Sequence, residues 1–175
     1  ESSVSYVVNN ADDLVALSGI EVITGNLTIE KSVDLTDLTG LESLTEIQGG
    51  LHILNNSKLI ALNGLTNLLI VGEGVYLKDN DSLTYIEALS NLTSLKNINI
   101  ERKASLDNLN GINAFSSIDG EVRIIGNGSL TNLEELSNIT LINGNLVINR
   151  NDARVGLEGL RSLKTVNGVL GIMKD

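Results

Sequence analysis

The chain of 175 residues has no cysteine, no proline, no tryptophan and a single histidine, His52. Without cysteine there is no disulfide scaffold, no thiol nucleophile and no Cys-bound zinc, and a lone histidine removes His-rich metal sites. Aromatic residues make up 2% of the chain, namely Tyr6, Tyr76, Tyr85 and Phe115. Any core must therefore be filled by Leu, Ile and Val, and so few shapes suit a core built by repetition. Basic residues are scarce as well: 12 Lys and Arg face 22 Asp and Glu, a formal net charge of −10. Residues 1–87 hold 13 acids against 3 bases, whereas residues 88–175 hold 9 of each. A surface of that sign repels phosphate backbones and anionic lipid, so neither nucleic acid nor a membrane surface is expected as a partner. No run approaches the roughly 20 apolar residues that span a bilayer, so no direct membrane insertion is expected. The chain opens at Glu1 without a charged-then-apolar targeting segment and reads as a mature chain or an excised piece. The length suits one domain, and no motif calls for a cofactor or a metal.

What the sequence does contain is a repeat. Apolar-x-apolar pairs recur at Leu27/Ile29, Leu51/Ile53, Val75/Leu77, Ile98/Ile100, Val122/Ile124, Leu146/Ile148 and Leu170/Ile172, in steps of 24, 24, 23, 24, 24 and 24 residues. With the first of each pair at offset 0, further apolar residues stand at offsets 11, 14, 17 and 20, as in Leu38, Leu41, Leu44 and Ile47. Offsets 0 and 2 share the inward side of a short strand, and the three-residue spacing beyond it suits bends and 3₁₀ turns. A unit this short cannot enclose its own apolar side. Copies must stack with their strands parallel around one Leu/Ile/Val column. The predicted fold is mainly β: a right-handed, leucine-rich-repeat-like or β-helical solenoid with 24-residue repeats and a short N-terminal capping helix. Residues 1–26 are assigned to the cap, 27–169 to six repeats, and 170–175 to the start of a seventh.

Asn10 is placed to cap that helix, Asp12 and Asp13 suit its first turn, Leu14 and Leu17 face inward and Gly19 ends it. At the other end the chain stops after Leu170 and Ile172 without a polar closing repeat, leaving a sheet edge for a partner or an adjoining domain to cover. Asparagine stands at offset 5 in Asn56, Asn80, Asn127 and Asn151, where a carboxamide supplies donors and acceptors to main-chain groups that lose their strand partners. These four are predicted to form a structural turn ladder. Lys103 replaces the asparagine in the fourth repeat, so that repeat, taken as one residue short, is expected to bulge and to point Glu101-Arg102-Lys103 at solvent. Arg154 occupies the leucine position at offset 8 of the sixth repeat, where a shifted loop is expected.

The unit L-x-I-x-x-N followed by L-x-x-L-x-G-L-x-x-L-x-x-I, seen in 51–72, resembles the leucine-rich repeat class. The stretch 86–100 is similar to internalin-type bacterial repeats. The opening Asn9-Asn-Ala-Asp-Asp-Leu-Val-Ala-Leu-Ser-Gly19 followed by Ile23-x-Gly25-Asn-Leu27-Thr-Ile29 looks like the receptor L-domain family, and this resemblance covers nearly the whole chain. It implies a right-handed β-helix-like solenoid and extracellular ligand binding. Animal members carry disulfides, so a chain without cysteine is similar instead to the microbial surface-protein type.

Offsets 1 and 3 point outward from the strands. Across the middle rungs they juxtapose His52, Leu54, Tyr76, Lys78, Arg123 and Ile125, a mixture of apolar area and charge that suits protein recognition. These six are the candidate ligand-binding residues. No serine or cysteine recurs where His52 would activate it, and Glu134-Glu135 reads as a solvated edge rather than a catalytic pair, which needs a cleft. Asp79-Asn-Asp-Ser82 lacks the glycine and terminal glutamate of a calcium loop. The sequence therefore points to a non-enzymatic recognition or adhesion module, extracellular or at the cell surface, binding a protein or glycan through its strand face. The alternative is a structural spacer or cell-wall component of a larger surface protein.

Overall fold

A computed structural model of the chain describes residues 3–102, 105–151 and 155–173. Eight strands stack in one parallel path: Tyr6–Val8, Leu27–Glu30, Gly50–Leu54, Ile70–Lys78, Ser94–Glu101, Val122–Ile125, Leu146–Asn149 and Leu170–Met173. Leu27, Leu51, Val75, Ile98, Val122, Leu146 and Leu170 are successive register partners. Along the far side, Ser117–Ile118, Leu141–Ile142 and Thr165–Val166 form a second parallel sheet of three short strands. Between them the chain turns through 3₁₀ segments at Glu87–Leu89, Glu134–Leu136 and Glu158–Leu160. The fold is the solenoid that the 24-residue periodicity predicts.

The core is one column of leucine, isoleucine and valine with Phe115 and Ala88. Each coil buries offsets 0 and 2 on the strand and then one residue in three, so every layer repeats the cross-section of the one below. The order breaks down in the final coil. Leu157 is 38% exposed and Leu170 58%, while their equivalents one coil earlier, Leu133 and Leu146, are both at 0%.

At the N-terminal end the helix Ala11–Ala16 seals the column with buried Leu14 and Leu17. Asn10 Oδ1 accepts a hydrogen bond from the Asp13 amide at 3.1 Å, and Asp13 Oδ2 accepts from the Asn9 amide at 2.8 Å. These bonds satisfy main-chain donors that have no partner inside the helix. Gly19 follows with φ +85°, a left-handed conformation that costs glycine nothing. The periodicity does not reveal the first strand. Tyr6 and Val8 repeat the apolar-x-apolar pair and register with Leu27 and Ile29, but 21 residues ahead instead of 24.

The missing residue of the 23-residue step lies elsewhere than the sequence suggests. Strands Ile70–Lys78 and Ser94–Glu101 pair Val71 with Leu95 but Gly74 with Asn97, so the irregularity sits at Gly72-Glu73. The strand beyond runs undisturbed through Glu101, whose side chain is 12% exposed and ion-paired, not directed at solvent. Arg102 is exposed but clamps Asp79 with two bonds of 2.6 and 2.7 Å. Lys103 and Arg154 lie outside the described residues; Val155, beside the latter, is buried. Glu135 also departs from expectation, because its Oε2 is buried, with no hydrogen-bond partner among the described residues, instead of lying in solvent.

Candidate functional site

The asparagines after the strands are bonded from coil to coil. Asn56 Nδ2 donates to Ile29 O and to Asn80 Oδ1, Asn80 Nδ2 donates to Ile53 O, and Asn127 Nδ2 donates to Ile100 O and Asn151 Oδ1, all within 2.8–3.0 Å. Asn151 Nδ2 in turn donates to Ile124 O at 2.8 Å. Each carboxamide thus replaces a strand partner where the chain bends away. A second asparagine column, at the residue preceding each inward pair, is not among the sequence-derived expectations. Asn26, Asn97 and Asn145 accept from the amides of Gly50, Glu121 and Val169 at 2.8–2.9 Å. The repeated Gly-Asn before Leu27 and Leu146 is the signal that marks it. The two columns pin both ends of the strands, so the face between them is a rigid platform.

On that platform the outward side chains of the strands from Leu27–Glu30 to Leu146–Asn149 are half-buried, because each is flanked by its neighbours in the adjacent coils. His52 registers with Tyr76 and Leu54 with Lys78, so four of the six candidate residues meet directly. The His52 and Tyr76 rings stack with centroids 4.6 Å apart and planes 4° from parallel. Gly50 makes room for them: a Cβ there would lie 2.7 Å from His52 Nε2 and 3.3 Å from Tyr76 Cε2. Tyr76 Oη lies 3.4 Å from Asn97 Nδ2, which ties the stack to the second asparagine column. Burial holds the His52 pKa below its ordinary 6.5, partly opposed by the carboxylate of Glu73. The imidazole is therefore neutral at pH 7, and the pair is an aromatic stack without charge.

Arg123 and Ile125 are separated from this group by the strand carrying Asn99 and Glu101. Arg123 Nε lies 3.2 Å from Glu101 Oε1 and 3.8 Å from Glu121 Oε1. Its charge is compensated within the face, a pairing that spacing alone does not disclose. Lys31 pairs likewise with Glu30 at 3.3 Å. Lys78 has no ion-pair partner among the described residues, which leaves it as the charged donor beside the aromatic stack. Asp79 and Asn80 of the acidic run are engaged with Arg102 and the ladder. Among the described residues no group of three or more His, Asp or Glu side chains is placed to hold a metal ion.

No helix among the described residues is long and apolar enough to cross a membrane. No curated protein and no solved structure gives a significant match to the chain. The family model of the receptor L domain matches residues 3–96, more than half of the sequence. That segment runs from the first strand and its capping helix into the fifth strand, and the coils beyond it continue in the same register. Receptor L domains are ligand-binding, receptor-type modules, non-enzymatic and typically extracellular. By its repeat, its capped parallel solenoid and this match, the chain belongs to the receptor L domain family.

Proposed function

We propose that this receptor L domain is a recognition module at a cell surface and that it holds a protein ligand against its strand face, centred on His52, Leu54, Tyr76 and Lys78. The observation that carries the reading is the His52–Tyr76 stack, fixed over Gly50 and flanked by Leu54 and by Lys78, which has no ion-pair partner among the described residues. Recognition surfaces draw most of their affinity from a few rigid aromatic anchors, and a preformed stack loses little side-chain freedom on binding. Arg123 and Ile125 form the outer margin of the same surface. Adjoining modules are proposed to dock on the final coil, where Val169, Leu170 and Met173 stay exposed.

The test compares wild-type protein with a Tyr76→Ala/Lys78→Glu variant of unchanged melting temperature, each immobilised and exposed to secreted and surface proteins. A ligand that is kept by the wild type, lost by the variant and saturable once purified supports the reading. Equal retention removes the strand face from the binding surface.

The spacer reading draws on a different observation. Arg123 and Lys31 are neutralised by Glu101, Glu121 and Glu30, so much of the charge on this face is spent within it. A spacer would yield no saturable ligand and would tolerate both substitutions.

A further inference from the structure

The flank that follows the asparagine ladder carries a concavity, distinct from the strand face. Leu35, Leu59, Leu83 and Leu106 enter the core there, and the residues on either side of each point outward. In one coil those neighbours are the long side chains Lys58 and Ile60. In the coils before and after, those that line the groove are small, namely Thr36, Ser82, Thr84 and Ser105, while Asp34 and Asp107 flank Leu35 and Leu106 on the other side. An open groove of about 480 Å³ results, lined by these six residues and running along the stacking direction.

Its chemistry is specific. The main chain is already committed from coil to coil: the Ile60 amide donates to Thr36 O at 2.8 Å and the Thr84 amide to Ile60 O at 3.0 Å. No strand edge is available for a peptide to extend. Three of the four lining hydroxyls commit their protons as well. Ser82 Oγ donates to Ser57 O at 2.7 Å, Ser105 Oγ to Asp81 O at 2.7 Å and Thr84 Oγ1 to Ser82 O at 3.2 Å. Each of these oxygens keeps acceptor capacity at a fixed position. Lys58 has no ion-pair partner among the described residues and contributes charged donors, while Ile60, 45% exposed, contributes apolar surface.

Fixed acceptors, one strong donor and an aliphatic patch in an open groove complement a sugar, which carries hydroxyl groups around its rim and C–H bonds on its faces. Asp34, Asp81 and Asp107 neighbour the lining residues, and the chain's charge of −10 opposes a polyanion. We infer that this groove is a second binding site, for a short neutral oligosaccharide, working independently of the strand face.

The test is titration of the isotope-labelled protein with cellotetraose, mannotetraose, laminaritetraose and chitotetraose, followed by amide NMR, with tetragalacturonate as the anionic arm. The expected result is saturable shifts at Thr36, Ile60, Thr84 and Ser105 with at least one neutral sugar. Lys58→Ala and Ile60→Asp, both at exposed positions, should weaken that binding at least fivefold without lowering the melting temperature. Tyr76→Ala should leave it unchanged. The inference is overturned if none of the four saturates, if only tetragalacturonate does, or if the shifts map to the strand face.

Discussion

Asn80 Oδ1 accepts two hydrogen bonds from Asn56, one from its amide at 2.9 Å and one from its side chain at 3.0 Å, and both residues are fully buried. Truncating Asn80 therefore strands donors of Asn56 as well as the carbonyl of Ile53. A buried polar group left unpaired costs roughly 1–3 kcal/mol. Asn80→Ala should lower the unfolding free energy by about 3 kcal/mol. Asn67→Ala, which removes one exposed bond to Glu42 O, should cost under about 1 kcal/mol. Urea unfolding of the two variants measures the difference, and equal costs would mean that the ladder carries no special burden.

The solenoid register itself is tested by neighbours in sequence. Leu65 is fully buried and Thr66 exposed. Leu65→Ala should cost roughly 2–5 kcal/mol, as a truncation that leaves a cavity, while Thr66→Ala should change stability by less than about 0.5 kcal/mol. Similar shifts in denaturation midpoint for both would contradict the stacking.

Acid should loosen the aromatic stack. The unfolded chain takes up a proton at His52 near 6.5, whereas the folded chain does so only at lower pH, because burial opposes the charge. The stabilising contribution is thus complete above 6.5 and is lost as pH falls through 6.5 towards the folded value. An NMR titration of the imidazole should show a midpoint below 6.5. Tyr76→Ala should raise it by opening the ring to water, and Glu73→Gln should lower it further by removing the opposing carboxylate. A wild-type midpoint at or above 6.5 would refute the burial argument.

Arg123 and Glu101 should couple, but modestly. Their side chains are 33% and 12% exposed, so water and salt reach the pair. A double-mutant cycle should return roughly 0.2–1 kcal/mol, diminishing as salt is raised from low ionic strength. A salt-independent coupling well above that range would mark the pair as buried.

Features that repeat at constant spacing were legible before the structure: the buried leucines, the parallel register, the offset-5 asparagines and the outward column containing His52 and Tyr76. Features that depend on a single interruption were not. The first strand is hidden because the capping helix alters the distance from Val8 to Ile29. The short step is absorbed at Gly72-Glu73, an irregularity of strand Ile70–Lys78 that precedes the inward pair Val75 and Leu77 and leaves their register with Ile98 and Ile100 intact. The neutralisation of Arg123 does not follow from spacing, because its nearer partner Glu101 is expected at solvent beside Arg102 and Lys103, and Glu121 precedes the strand. The stack of His52 on Tyr76 needed Gly50, whose role becomes apparent only when the rings lean back over it. Within the candidate face of six residues, strand register sets His52 beside Tyr76 and Leu54 beside Lys78, and their separation from Arg123 and Ile125 follows from the intervening Asn99 and Glu101.

The bulge at Gly72-Glu73 has a consequence for how such a molecule grows. Strands, asparagine columns and buried leucines all demand that equivalent atoms recur one coil later, so the chain can change length only at a bulge ahead of the inward pair or by a whole coil. Excising or duplicating one complete turn leaves every surviving layer with neighbours of the same kind on both sides. Length in this architecture is counted in discrete units, and a recognition surface laid across it can be widened or narrowed without redesigning the floor beneath.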